Sequence, residues 1–210
     1  FQKRMAIMQL MNLLINCSIK SKVNQNLNIE IADLSHIFKV MKNNIFHLTS
    51  MAQWTIQQYL TKGDIALDAT CGNGHDTLFL AQTVGENGHV FAFDIQEAAC
   101  KATKSLLQEN AISDNVSIFN QSHDSLLQYI PPKFHKNIVA IMFNLGYLPQ
   151  SDKTVRTSAV TTCAALEQSC ILLKKGGIIT IAVYVGHDGG KQEMDAIQSF
   201  VKHLPTQDFA

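Results

Sequence analysis

The run Asp68-Ala69-Thr70-Cys71-Gly72-Asn73-Gly74-His75-Asp76-Thr77 is where this sequence most clearly carries chemistry. Gly72 and Gly74 permit a tight strand-to-helix turn and let the backbone approach a ligand at the start of a helix. Asp94 follows Gly74 by 20 residues. An acid at that place accepts hydrogen bonds from ribose hydroxyls. A glycine pair alone says little, but strand, glycine pair, helix, strand and acid in that order describe a nucleoside cofactor site. Thr77 stands where a dinucleotide fingerprint has its third glycine, so a pyrophosphate is poorly served and a sulfonium cofactor is not. Asp68 suits a cationic ligand near the amino-acid moiety. S-adenosylmethionine is therefore expected in preference to NAD.

The elements that must position these residues follow from periodicity and breakers. A helix is expected over 50–59, stopped near Lys62-Gly63, and a short buried strand over 65–69. Helix 75–83, strand 90–95, helix 96–109 and strand 116–120 come next. Strand 138–144 is rich in aliphatic residues, helix 158–173 is apolar on one face, and Lys174-Lys175-Gly176-Gly177 ends it. A fifth strand over 178–185 and a helix over 193–203 complete the pattern. Strands and helices alternating at this spacing predict an α/β fold, a doubly wound, mostly parallel sheet with helices on both faces.

Composition fits that class. The chain is 46% hydrophobic and 16% charged, as a globular domain is. It has no apolar run approaching the roughly 18 residues of a membrane span. Five cysteines without regular spacing argue for a reducing compartment, and a cytoplasmic location is expected. The formal net charge of zero divides unevenly, +4 over residues 1–44 and −4 over the remainder. A broad phosphate-binding field is thus excluded, and any nucleic-acid contact must be local. Residues 5–15 follow Lys3-Arg4 like a signal sequence, but no small-residue cleavage site follows. Met41 opens a run that reads as a natural start. Residues 1–40 are accordingly expected to be a non-catalytic upstream extension, and 41–210 the functional domain.

Five segments read together carry a resemblance: DATCGNGHDTLFLA (68–81), FAFDIQ (91–96), MFNLGYLP (142–149), DKTVRTSAVTTCAAL (152–166) and YVGHDGGKQE (184–193). They resemble a bacterial family long labelled rRNA methylase, which is similar to the tRNA 5-aminomethyl-2-thiouridine methyltransferases, class I enzymes that use S-adenosylmethionine. The resemblance covers 45–205. It implies N-methylation of the aminomethyl group on a wobble uridine, with tRNA as partner. It implies that Asp68, Gly72, Asn73, Gly74, Asp94 and Gln96 hold the cofactor, with His75, Asp76 and Thr77 starting the helix beside it. Ser122 and His123 would lie at the adenine end. Asn144, Leu145, Gly146 and Tyr147 match the fourth-strand motif that brings the acceptor to the methyl group. Gly186, His187, Gly189, Gly190 and Lys191 would form a second substrate-side loop. The chain departs from the family at Val185 and Asp188, where proline is common. It also ends before the strand hairpin that usually closes such sheets, so a truncated domain with an open edge at the fifth strand and a tendency to aggregate is expected.

Methyl transfer to an amine needs a neutral nucleophile and alignment. The Asn144 side-chain oxygen and a carbonyl within 144–147 would accept the amine hydrogens, and Tyr147 would stack on an extruded base. The alternative is that Asn-Leu-Gly-Tyr is simply a strand-ending turn. His75, His123 and His187 all fall at expected strand ends. His75 reads better as a loop cap, and His187 as the best candidate base. Cys71 reads as an inert small residue. No paired ligand spacing appears, so no metal is expected. Lys153 and Arg156, with Lys174, Lys175 and Lys191, would either touch RNA phosphates or be merely solvated. Three further readings stand beside the tRNA enzyme: an rRNA methyltransferase, a small-amine methyltransferase, and a cofactor-binding module without turnover. A homodimer is among the expected assemblies.

Overall fold

A computed structural model describes residues 48–112, 114–146, 157–186 and 188–205. Strand β1 (Ile65–Asp68) is followed by helix α2 (His75–Val84), β2 (His89–Asp94), α3 (Glu97–Glu109) and β3 (Val116–Asn120), with helix α1 (Leu48–Ile56) preceding them. After β3 come a 3₁₀ turn (His123–Ser125), one turn of helix α4 (Leu126–Tyr129) and a second 3₁₀ turn (Pro132–Phe134). Then follow β4 (Ile138–Leu145), α5 (Ala159–Leu172), β5 (Leu173–Val183) and α6 (Gly190–Lys202).

The strands pair in parallel in the order β3-β2-β1-β4-β5. The chain builds outward from β1 to β3, then crosses to the other side of β1 to lay down β4 and β5. The order therefore reverses between β1 and β4, and open α/β sheets bind their ligands at the C-terminal strand ends beside such a reversal.

Helices on both faces explain why the central strands read as continuous apolar runs. Leu67, Phe91, Phe93, Ile141 and Phe143 pack with Ala165, Leu166 and Leu172 of α5 and Ile197 of α6. The alternate residues Ala66, Val90, Ala140 and Met142 pack with Ile56 of α1, Leu80, Ala81 and Val84 of α2, and Leu107 of α3. The period-2 alternation of the strands thus sorts the core into two layers.

Three local differences from the sequence reading have identifiable causes. The expected strand 178–185 begins at Leu173 and ends at Val183. Leu173 packs on the core and pairs with Ile138, whereas Ile178 pairs with Ala140, so Lys174–Gly177 form a bulge. Gly176 has a φ of 79° inside that bulge, a conformation that glycine adopts without strain. Helix α6 starts three residues before the expected Glu193, because Gly189 at a φ of 86° turns the chain into it. The turns between β3 and β4 carry no long period and were not legible as helix.

Candidate functional site

The site is built where β1 and β4 end side by side. Asp68, the last residue of β1, is fully buried. Its Oδ1 accepts the Thr70 backbone N–H at 3.1 Å and its Oδ2 accepts the Thr77 hydroxyl at 2.7 Å. Burial, and then the neighbouring Asp76 carboxylate, push Asp68 up from 3.8 to about 7. The Thr70 hydroxyl in turn accepts the Asn144 backbone N–H at 2.7 Å, joining the loop after β1 to the end of β4.

The two glycines of the loop have separate tasks. Gly72, at a φ of 51°, turns its N–H onto Asp94 Oδ2 at 3.0 Å. Gly74, at a φ of 86°, lets α2 lie against α3, since a Cβ there would come within 2.7 Å of the Thr103 Cα. Thr103 also donates its hydroxyl to the Gly72 carbonyl at 3.2 Å. The loop is thereby held from both sides. Asn73 and His75 stand exposed on it.

Asp94 ends β2 with its Oδ1 taking the Gln96 N–H at 2.8 Å. Each carboxylate oxygen retains a lone pair beyond the one used, the arrangement an acid needs to accept ribose hydroxyls. Burial raises its affinity for protons, and the backbone N–H groups of Gln96, Gly72 and Ile95, with His123, work against that rise. His123 is buried after β3, stacked edge-on to Phe143, and burial pushes its imidazole down towards the neutral form. A backbone hydrogen bond with Ala69 holds the ring, while its Nε2 is buried without a partner. Ser122 is the half-buried residue before it. Cys71 is buried beside Cys100; the hydrogen bond between the two thiols, and then burial, raise its pKa, so it is held as a thiol.

Asn144 is the last residue but one of β4. Its Nδ2 donates to Asp76 Oδ2 at 2.5 Å, and its Oδ1 is buried without a partner. Leu145 and Gly146 are buried behind it, and the Gly146 carbonyl accepts the Thr157 N–H at 3.0 Å. Tyr184, just past β5, sets its Cβ 3.3 Å from where a Cβ of Gly146 would be. Its phenol is raised by burial and by Asp76.

Gly186 is exposed in the stretch after β5, Gly189 caps α6, and Gly190 and Lys191 open that helix, the first buried and the second exposed. Tyr147, Lys153, Arg156 and His187 lie outside the described residues. Among the described residues no group of three His, Cys, Asp or Glu side chains is placed to hold a metal, and no helix is long and apolar enough to cross a membrane.

Four positions escaped the sequence reading. Thr70 sits in the glycine loop, and its place two residues past a buried acid was the available signal. Tyr184 is an aromatic residue at a strand end. Gln53 on α1, which donates to Asp76, and Glu193, fully buried and accepting the Thr157 and Thr162 hydroxyls at 2.9 and 2.6 Å, gave no signal. Their partners are distant in sequence.

An all-parallel 3-2-1-4-5 sheet with acids ending β1 and β2 and a glycine turn between them is the Rossmann-like fold of class I methyltransferases. Comparison with known proteins narrows this. Residues 90–210 match the family model described as "Putative rRNA methylase", and the chain belongs to that family. It is 39% identical over 169 residues to the chloroplastic tRNA (mnm(5)s(2)U34)-methyltransferase of Arabidopsis thaliana, covering 77% of this chain but only 61% of that protein. The solved structure of a putative rRNA methylase from Clostridium thermocellum is 39% identical, with a TM-score of 0.73, covering 78% of this chain and 86% of that one. A putative methyltransferase from Streptococcus mutans, solved in complex with SAH, is 36% identical with a TM-score of 0.67, over 77% of this chain and 84% of that one.

Proposed function

We propose that this chain is an S-adenosylmethionine-dependent methyltransferase that N-methylates the 5-aminomethyl group of 2-thiouridine at the tRNA wobble position. The observation that carries this reading is the Asn144 Oδ1, a buried acceptor without a donor at the end of β4, beside the strand reversal. The 39% identity to the Arabidopsis tRNA enzyme supports the choice of substrate.

The residues present fit the cofactor. Asp68 and Asp94 place carboxyl groups at the ends of β1 and β2, on either side of the glycine loop, the donor set that an ammonium and ribose hydroxyls require. In this reading Asp94 and Gln96 hold the ribose, Gly72, Asn73, Gly74 and Asp68 the amino-acid moiety, and Ser122 and His123 the adenine. The neutral imidazole of His123, with Nε2 unpartnered, suits hydrogen bonding to an uncharged base.

Bound S-adenosylmethionine supplies an electrophilic methyl, whose bond to sulfur breaks as the bond to nitrogen forms. The protein's part is alignment and selection of the neutral amine. Asn144 Oδ1 accepts an N–H of the amine and aims the lone pair, Tyr184 offers its ring to the base, and Tyr147 remains a proposed stacking partner. His187 remains the proposed base for the proton released after transfer, and Lys153, with the stretch from Gly186 to Lys191, the proposed RNA contact. The proposed setting is the cytoplasm, and homodimerisation is checked by light scattering.

The family's own description favours a second reading, methylation of rRNA. One experiment separates the two. Labelled S-adenosylmethionine is offered with tRNA carrying 5-aminomethyl-2-thiouridine, with tRNA lacking it, with rRNA and with small amines, and the labelled nucleoside is identified. Label on the wobble aminomethyl group alone is expected. Label in rRNA or in a small amine overturns the tRNA assignment, and cofactor binding without any turnover overturns the enzyme assignment.

A further inference from the structure

Asp76, at the second position of α2, is buried, and its carboxylate takes two side-chain amides. Gln53 Nε2, from α1, donates to Oδ1 at 2.5 Å, and Asn144 Nδ2, from β4, donates to Oδ2 at 2.5 Å. A carboxylate oxygen accepts and does not donate, so the nitrogen is the end of the Asn144 amide that must face Asp76. The amide is planar with its oxygen and nitrogen at opposite corners. Fixing one end fixes the other, and the other is the buried, unpartnered Oδ1.

We propose that Asp76 is a positioning residue that sets the orientation of the Asn144 amide, so that its oxygen and not its NH₂ group meets the acceptor amine. This rests on reading the site as an N-methyltransferase. Without Asp76 the amide can turn over, and the flipped form offers two hydrogens to an amine that needs to donate its own. Gln53 occupies the other carboxylate oxygen and keeps the group from rotating away. The three side chains come from α1, α2 and β4, so the arrangement is made only in the folded domain.

The experiment uses the full chain with Asp76→Asn, Asn144→Asp and the two combined. Steady-state methylation of tRNA carrying 5-aminomethyl-2-thiouridine is measured beside S-adenosylmethionine affinity by calorimetry. Asp76→Asn is expected to lower kcat by about 100-fold while leaving KM and cofactor affinity within roughly threefold. The combined variant exchanges the two groups. The carboxylate then at 144 offers an acceptor whichever way it turns, so kcat is expected to return to within about tenfold of the parent. An unchanged kcat in Asp76→Asn, or a combined variant no better than that single one, overturns the inference.

Side-chain amide NMR decides the same point without turnover. In the parent the Asn144 NH₂ pair is expected to be split widely by its hydrogen bond to the carboxylate, and the splitting to collapse in Asp76→Asn. A narrow, unresponsive pair overturns the inference. Should Asp76→Asn fail to fold, Gln53→Leu removes one anchor and is expected to lower kcat by about tenfold with the Asn144 pair shifted. If the parent methylates no aminomethyl tRNA, the functional reading fails, and the Asn144 resonances still decide the orientation.

Discussion

The hydroxyl of Thr70 accepts the backbone N–H of Asn144 at 2.7 Å, although 74 residues separate them. It thus couples the loop that follows β1 to the last turn of pleat in β4, across the point where the strand order reverses. The Ala69 N–H, donating to the Met142 carbonyl at 2.9 Å, ties the same two segments a second time.

Replacing Thr70 by valine keeps the shape and removes the acceptor. Leaving the Asn144 N–H without a partner is expected to cost about 1–3 kcal/mol of stability. It should also lower kcat, because Asn144 is no longer held in register with the loop. Urea denaturation and single-turnover kinetics measure the two effects. A variant as stable and as active as the parent would show that the bond positions nothing.

Asp68 gives the protein a pH dependence with a definite sign. Its pKa in the fold, about 7, lies above the ordinary 3.8, so the native state holds a proton that the unfolded chain has lost over that interval. Its contribution is fully present below the lower value and disappears as pH rises through the upper one. The melting temperature of the cofactor-free protein is expected to fall from about pH 5 to about pH 8, and Asp68→Asn to flatten that fall. Affinity for the cationic cofactor should rise over the same interval as Asp68 ionises. A parent profile as flat as that of Asp68→Asn would contradict both.

Gly74→Ala tests the close approach of α2 to α3. The residue sits at a φ of 86°, and the added Cβ would meet the Thr103 Cα at 2.7 Å. Backbone strain alone is expected to cost about 1–3 kcal/mol, and the contact adds to it. Because the nearest atom is main chain, Thr103→Ala in the same protein should not relieve the loss. Thermal unfolding of the single and double variants measures this, and recovery in the double would place the crowding on the side chain instead.

Tyr184 is 45% exposed and faces Gly146, beside the C-terminal end of β4. Its ring is available to a base. Tyr184→Ala is expected to raise KM for tRNA by about tenfold, in keeping with the energy of stacking one base, and to leave cofactor affinity unchanged. Tyr184→Phe should behave as the parent. Equal loss in both variants would assign the role to the hydroxyl.

Much of the architecture was legible in the sequence because it is written in local periodicity. The apolar run of β4 between polar turns, the glycine loop after β1, and Asp94 following Gly74 by 20 residues fix the order of strands, helices and acids without reference to anything distant. The resemblance of the five quoted segments pointed to the same family that the model match shows. What local pattern could not supply was the β5 bulge, which depends on Leu173 finding a place in the core opposite Ile138. Nor could it give α6 its true start, or the partner of any buried polar group. Asp76 does stand in the first turn of α2, as the resemblance implied, and only the fold supplies its partners Gln53 and Asn144. Glu193 read only as the start of a helix, and the fold buries it and gives its carboxylate the hydroxyls of Thr157 and Thr162. Secondary structure follows from spacing of apolar and breaking residues along the chain, and so the sequence alone carried it. Which donor meets which acceptor depends on helices packed across a sheet, and only the tertiary structure decides that.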